Sequence, residues 1–138
     1  MKRVQVAAAM TRWDGEPHRV AIEVGSHRLL ADEPPSAGGT DQGPTPFGLV
    51  LAGLGACTAI TLRMYAERKG WPLSDVRVQA RYVIEDDRPE INRTIRLVGD
   101  LDDEQRTHLM DIAERTPVTK ALAAGTPIRT TEARDAPS

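Results

Sequence analysis

Cys57 is the only cysteine in the chain, and it is the residue most able to do covalent chemistry. With a single thiol, an intramolecular disulfide is excluded, and with it a disulfide-stapled secreted fold. Taken alone, Cys57 has two readings. A lone cysteine on an apolar helix behaves as a small inert hydrophobe. The same thiol becomes a nucleophile in an electropositive, accessible setting. Its flanks, Gly55-Ala56-Cys57-Thr58, place it mid-helix. The helix dipole fades within the first turn and gives it little help. Activation therefore requires a cation carried in by another segment.

The other polar clusters are weaker. His18, His27 and His108 are scattered without metal-ligand spacing, so no metal site is expected. His18 and His27 could sit on neighbouring strands of one hairpin, where exposed strand residues are the simpler reading. His108 lies in a polar helical stretch and is expected to be solvated. Glu85-Asp86-Asp87 reads as a hairpin tip and not as a catalytic carboxylate pair. Gly38, Gly39 and Gly43 have the wrong spacing for a phosphate loop, and no strand leads directly into them. Arg63, Arg68 and Lys69 form a charged helix end, favourable to the dipole there.

The elements that must hold Cys57 follow from periodicity. Val4, Val6 and Ala8 alternate weakly, Val20, Ile22 and Val24 more clearly, and Leu29-Leu30 falls in a third short strand. Asp14-Gly15 and Gly25-Ser26 break these runs, which predicts an N-terminal antiparallel meander. Ala31–Pro46 holds four prolines and three glycines in sixteen residues, so it is expected to be neither helix nor central strand. A loop this long is often functional, although a plain surface connection explains it equally well. Thr45 is a candidate N-cap with Pro46 in the first turn, and the helix runs to about Lys69, before Gly70. Its first four turns are apolar nearly all round, so both faces need cover. A sheet covers one face. The cheapest cover for the other is the same helix of a second chain, with Gly53 and Gly55 permitting close approach.

Val76 to Ile84 alternates strictly, and Ile91, Ile95 and Leu97 follow after the acidic turn, predicting a long antiparallel hairpin. Leu101 to Arg115 reads as a second helix capped by Asp102 or Asp103. Pro117 to about Ala124 reads as a short third helix closed by Gly125. Ile128 to Thr131 reads as a last strand, and the tail from Glu132 as frayed.

Length and composition set the class. The 138 residues fit one domain spanning 1–138, of α+β class. Hydrophobic residues at 40% and charged residues at 28% argue against disorder. A net charge of -2 gives no nucleic-acid footprint. Five aromatic residues, Trp13, Trp71, Tyr65, Tyr82 and Phe47, leave little for base stacking. The apolar stretch Phe47 to Leu62 falls short of the roughly 20 residues that cross a bilayer, and residues 1–10 make a poor signal peptide. A cytoplasmic protein with no membrane and no nucleic-acid partner is expected.

Several motifs in order resemble the OsmC/Ohr family of osmotically induced and organic hydroperoxide resistance proteins. They are Asp32-Glu33-Pro34, Gly38-Gly39, Gly43-Pro44-Thr45-Pro46, Leu49 through Thr58 around the cysteine, and Arg68-Lys69-Gly70. Arg115-Thr116-Pro117-Val118-Thr119-Lys120 is similar to the second motif of the family, in which a cysteine precedes Pro-Val, and Arg93 with Ile95 also fits. The resemblance implies an OsmC-like fold, an intertwined homodimer with two interfacial sites, and thiol-dependent reduction of hydroperoxides with no cofactor. Cys57 would be the nucleophile and would pass through a sulfenic acid.

This chain departs from that pattern at two places. Thr116 holds the second-cysteine position, and a hydroxyl cannot resolve a sulfenic acid. Phe47-Gly48 stands where the family places a glutamate that orients an activating arginine, and no acid occurs between Asp41 and Glu67. Arg12, Arg19 and Arg28 are the candidate thiolate-activating arginines. The leading expectation is a one-cysteine peroxidase that needs an external thiol or dithiol reductant, with Phe47 and Leu54 lining an apolar pocket. The competing readings are a non-catalytic dimer binding an apolar small molecule at that pocket, and a redox sensor oxidised once at Cys57.

Overall fold

The computed structural model describes residues 2–134. Strands β1 (Met10–Trp13), β2 (Val20–Val24) and β3 (His27–Ala31) come first, followed by helix α1 (Pro46–Lys69). Strands β4 (Leu73–Glu85) and β5 (Arg88–Gly99) then lead to helices α2 (Asp103–Ala113) and α3 (Pro117–Ala124). The α+β class is as expected. The chain forms two compact units, Met1–Gly53 with Ala80–Asn92, and Leu54–Gln79 with Arg93–Ser138. Helix α1 and the β4–β5 hairpin each run from one unit into the other.

In the first unit, β1, β2 and β3 form an antiparallel sheet in that order. The expected strand over Val4, Val6 and Ala8 is not there. Residues 3–9 are exposed and irregular, and the first strand begins at Met10. The alternation is real, but no strand pairs with it, and an unpaired strand cannot meet its own hydrogen bonds. The β2–β3 register sets Val24 against His27 and Val20 against Ala31. His18 precedes that ladder, so the two histidines are not cross-strand neighbours.

The proline-rich connection contains one short helical turn, Pro35–Ala37, which its composition argued against. Proline at a first helical position is tolerated because its missing N–H needs no partner there. The loop is organised around Asp32, whose residue is only 2% exposed. Its carboxylate accepts from the Glu33 amide at 2.7 Å, the Thr40 hydroxyl at 2.9 Å and the Gln42 amide at 3.1 Å. Gly39 and Gly43 are needed for close approach. A Cβ would fall 2.0 Å from the Glu33 carbonyl oxygen at Gly39, and 2.3 Å from that of Leu30 at Gly43. These glycines serve the packing of the loop.

Burial acts to raise the pKa of Asp32, but hydrogen bonds from the Gln42 and Glu33 amides and from Thr40 outweigh it and hold the carboxyl below its ordinary value. A lowered folded pKa means that the stabilisation is complete above the unfolded value of about 4. It is lost as pH falls through the folded value. Proteolytic nicking between Glu33 and Gln42 is therefore expected to accelerate below about pH 4. In Asp32→Asn it is expected to be fast already at pH 7. Limited proteolysis at the two pH values checks both.

The hairpin turns through Asp86 and Asp87, both at positive φ (51° and 61°). A two-residue turn with both residues left-handed matches the twist of antiparallel strands. Its base belongs to the second unit. There Leu62, Ala66, Leu73, Leu101, Leu109 and Ala113 make a buried core, with Tyr65, Trp71, Val76, Ile95, Leu97 and Ile112 packed on it. Asp102 caps α2 in a reciprocal capping box with Gln105. The expected strand over Ile128 to Thr131 is absent, and Ile128 is 89% exposed. A four-residue segment such as Ile-Arg-Thr-Thr has no stability as a strand without a partner. Of the tail from Glu132, residues 135–138 lie outside the described residues.

Candidate functional site

Helix α1 begins where the sequence placed it. The Gly48 amide donates to the Thr45 hydroxyl at 3.0 Å, which caps the first turn, and Gly70 follows the last turn with φ at +70°. The helix reaches 24 residues, longer than its apolar stretch, and by length and composition alone it could cross a membrane. Its buried residues are Leu54, Thr58, Leu62 and Ala66, one stripe at a spacing of four. Phe47, Val50, Ile60 and Met64 remain 57%, 41%, 58% and 56% exposed. The all-round apolarity thus resolves into one face covered by the chain itself and an apolar remainder left open.

Cys57 is half-buried beside that stripe, one residue before Thr58. Leu54, expected as a pocket residue, is buried at 4% exposure. Thr116 at the second-cysteine position is fully buried. It caps α3, accepting from the Thr119 amide, with Pro117 next in the first turn. These three residues belong to the second unit.

The other expected residues belong to the first unit. Phe47 stacks on Tyr82 with ring centroids 4.4 Å apart and planes at 29°. Arg19 is already engaged: its Nε lies 2.6 Å from the Asp14 carboxylate, and it also donates to the Gln42 side-chain oxygen. It braces the β1–β2 turn and the Asp32 loop. Arg28 makes a long, exposed contact of 3.8 Å to Glu23. Arg12 and Arg28 border one shallow groove of ≈ 330 Å³ on the sheet, with Ile22 and Leu30. Of the three arginines, Arg12 and Arg28 share a surface, and Arg19 is committed to its carboxylate.

One arginine was noted in the sequence only as part of the family resemblance. Arg93 on β5 is 10% exposed at its side chain. It donates to Thr58 Oγ1 and Thr119 Oγ1, each at 2.9 Å, and to the Ala113 carbonyl oxygen at 3.1 Å. Glu114 lies at 3.5 Å. The signal for it was present in the strand pattern. Ile91, Arg93, Ile95 and Leu97 share one parity of an alternating strand, so the charge stands on the inward face and must find partners there. His108 was expected to be solvated. Although the residue is exposed, its Nε2 is 2.7 Å from the Tyr65 hydroxyl, and its ring stacks on Tyr65 and meets the edge of Trp71. An aromatic ring half-covers it, which periodicity alone does not reveal.

Comparison with known proteins identifies the family and the fold. Residues 39–131 match the family model for OsmC-like proteins. A search of curated proteins finds no match. Among solved structures, an OsmC-like protein from Mycoplasma pneumoniae superposes with a TM-score of 0.71 at 18% identity, covering 89% of each chain. The organic hydroperoxide resistance protein OhrB of Bacillus subtilis gives 0.58 at 25% identity, over 85% of this chain and 90% of that one. An organic hydroperoxide resistance protein from Elizabethkingia anophelis gives 0.65 at 19% identity, over 88% and 90%. The family match covers most of the chain, including the whole of α1 and the Thr116-Pro117 turn, and the chain belongs to the OsmC-like family.

Proposed function

We propose that this protein is a one-cysteine thiol peroxidase that reduces organic hydroperoxides, with Cys57 as its nucleophile. The observation that carries the reading is the half-buried Cys57 on α1, within the family match and beside a buried stripe that fixes the helix. The family membership and the names of the Bacillus and Elizabethkingia neighbours support the substrate class. In the first step the Cys57 thiolate attacks the terminal peroxide oxygen. The O–O bond breaks, the alkoxide takes a proton and leaves as an alcohol, and Cys57 becomes a sulfenic acid. Thr116 offers no thiol to condense with it. An external thiol therefore displaces water to give a mixed disulfide, and a second thiol releases Cys57 and carries away the disulfide. Arg12, Arg19 and Arg28 are the candidates for supplying positive charge, and Arg19 is the one already oriented by an acid, Asp14. The expected result is consumption of cumene or t-butyl hydroperoxide with a small-thiol reductant. A rate equal to that of the reductant alone rejects the reading.

The working form is a homodimer, a reading supported by the open apolar remainder of α1. Exposed apolar side chains along a helix are what association between chains covers. A Cβ at Gly53 would meet nothing within 4 Å in the chain. In a monomer Gly53→Ala therefore stabilises the helix by about 1 kcal/mol. Against a closely packed second copy the added methyl instead weakens association. Sedimentation is expected to show wild-type dimers and a dimer dissociation constant raised about tenfold or more in Gly53→Ala, from overpacking.

One observation favours a second reading. Phe47, at the position of the family's glutamate, presents an exposed ring stacked on Tyr82. Such a platform suits an apolar ligand held without turnover. Native mass spectrometry separates the two, since a retained small molecule with no peroxide consumption supports the binding module.

A further inference from the structure

Arg93 stands at a place where the strand pattern calls for a hydrocarbon, and it connects the Cys57 turn to the Thr116 turn. Its partners come from three segments: Thr58 on α1, Ala113 at the end of α2, and Thr119 in the first turn of α3. The protons of this network can be followed. The Thr58 hydroxyl donates to the Leu54 carbonyl at 2.7 Å, so its lone pairs are free for Arg93. Thr116 Oγ1 and Thr119 Oγ1 are 2.6 Å apart, and Thr119 Oγ1 is 3.3 Å from the Ala113 carbonyl oxygen. One assignment uses every hydroxyl proton: Thr116 donates to Thr119, and Thr119 donates to Ala113. Thr119 then accepts two bonds, its full capacity.

We propose that Arg93 is a positioning residue for Cys57, acting through the Thr58 hydroxyl to hold the helical turn that presents the thiol. Adjacent α-carbons are about 3.8 Å apart, so a shift of the turn at Thr58 is carried directly to Cys57. The planar fork of arginine holds three acceptors in fixed directions, which the point charge of lysine does not. A purely structural role would not need the charge, because well-packed hydrophobic side chains often replace buried ionic groups without loss of stability.

The proposal rests on Cys57 being the reactive group, and the test keeps it separate from the peroxidase reading. Thr58→Val, Thr58→Ser and Arg93→Lys are compared with wild type at a temperature where circular dichroism shows all of them folded. Thr119→Val is added should Thr58→Val fail to fold. Two rates are read, Cys57 oxidation by cumene hydroperoxide and Cys57 alkylation by iodoacetamide. Both are expected to fall about tenfold in Thr58→Val and Arg93→Lys, in keeping with the sensitivity of reactions to small misplacements. Thr58→Ser restores what Thr58→Val loses. Alkylation rates that stay at wild type, or rise as the melting temperature drops, show a structural role only and overturn the proposal. Should wild type ignore the hydroperoxide while the alkylation pattern holds, the positioning role stands and the peroxidase reading falls.

Discussion

Cys57→Ser is expected to consume cumene hydroperoxide no faster than the small-thiol reductant does unaided. The loss is on the order of 10³-fold or more, or roughly 4 kcal/mol or more of barrier. The reason is chemical. The peroxide oxygen is taken by a polarisable thiolate, and a serine hydroxyl at neutral pH supplies neither the anion nor the soft nucleophile. With one cysteine in the chain, no second thiol can take over. The packing change is slight, because the half-buried side chain keeps its place on a helix fixed by Leu54, Thr58, Leu62 and Ala66. An unchanged melting temperature with abolished turnover is the expected pair of results. Equal turnover by the two proteins removes Cys57 from the chemistry.

Leu62→Ala is expected to produce the largest loss of stability, about 2–5 kcal/mol. Leu62 is fully buried one helical turn beyond Thr58, in the core it shares with Leu109, Leu101 and Ala113. Removing its three terminal carbons loses their transfer energy and leaves a cavity the neighbours close only partly. For a chain of this size the melting point falls by roughly 8–20 °C. Leu122→Ala is the control, because Leu122 is 41% exposed. It should change stability by less than about 0.5 kcal/mol. Thermal unfolding followed by circular dichroism separates the two. Equal melting points for both variants contradict the placement of the α1 stripe in the core.

Much of this scaffold could be read from the residues themselves. Thr45-Pro46 and Gly70 fix the ends of α1, and Thr116-Pro117 and Gly125 those of α3, because caps and helix breakers act within a single turn. The strict alternation from Val76 gave the hairpin, and the two aspartates at its tip turn it. The segments that escaped depend on distant partners. Val4 to Ala8 and Ile128 to Thr131 have strand-like composition, but a strand exists only where another lies beside it. Asp32 looks like any loop acid until Thr40 and Gln42 fold back onto it. Arg93 was legible through the family resemblance and its parity, but its partners, twenty and twenty-six residues away on α2 and α3 and thirty-five on α1, were not. The candidate site was therefore half visible: the nucleophile and Arg93 could be named from sequence, and the bond from Arg93 to the residue beside Cys57 could not.

The central claim is tested most directly by the first chemical step, free of any reductant. The reduced protein is treated with one equivalent of cumene hydroperoxide in the presence of dimedone, and peptide masses and cumyl alcohol are measured together. The account predicts a dimedone adduct on Cys57 and an equal amount of alcohol. An unmodified Cys57 beside intact hydroperoxide contradicts it.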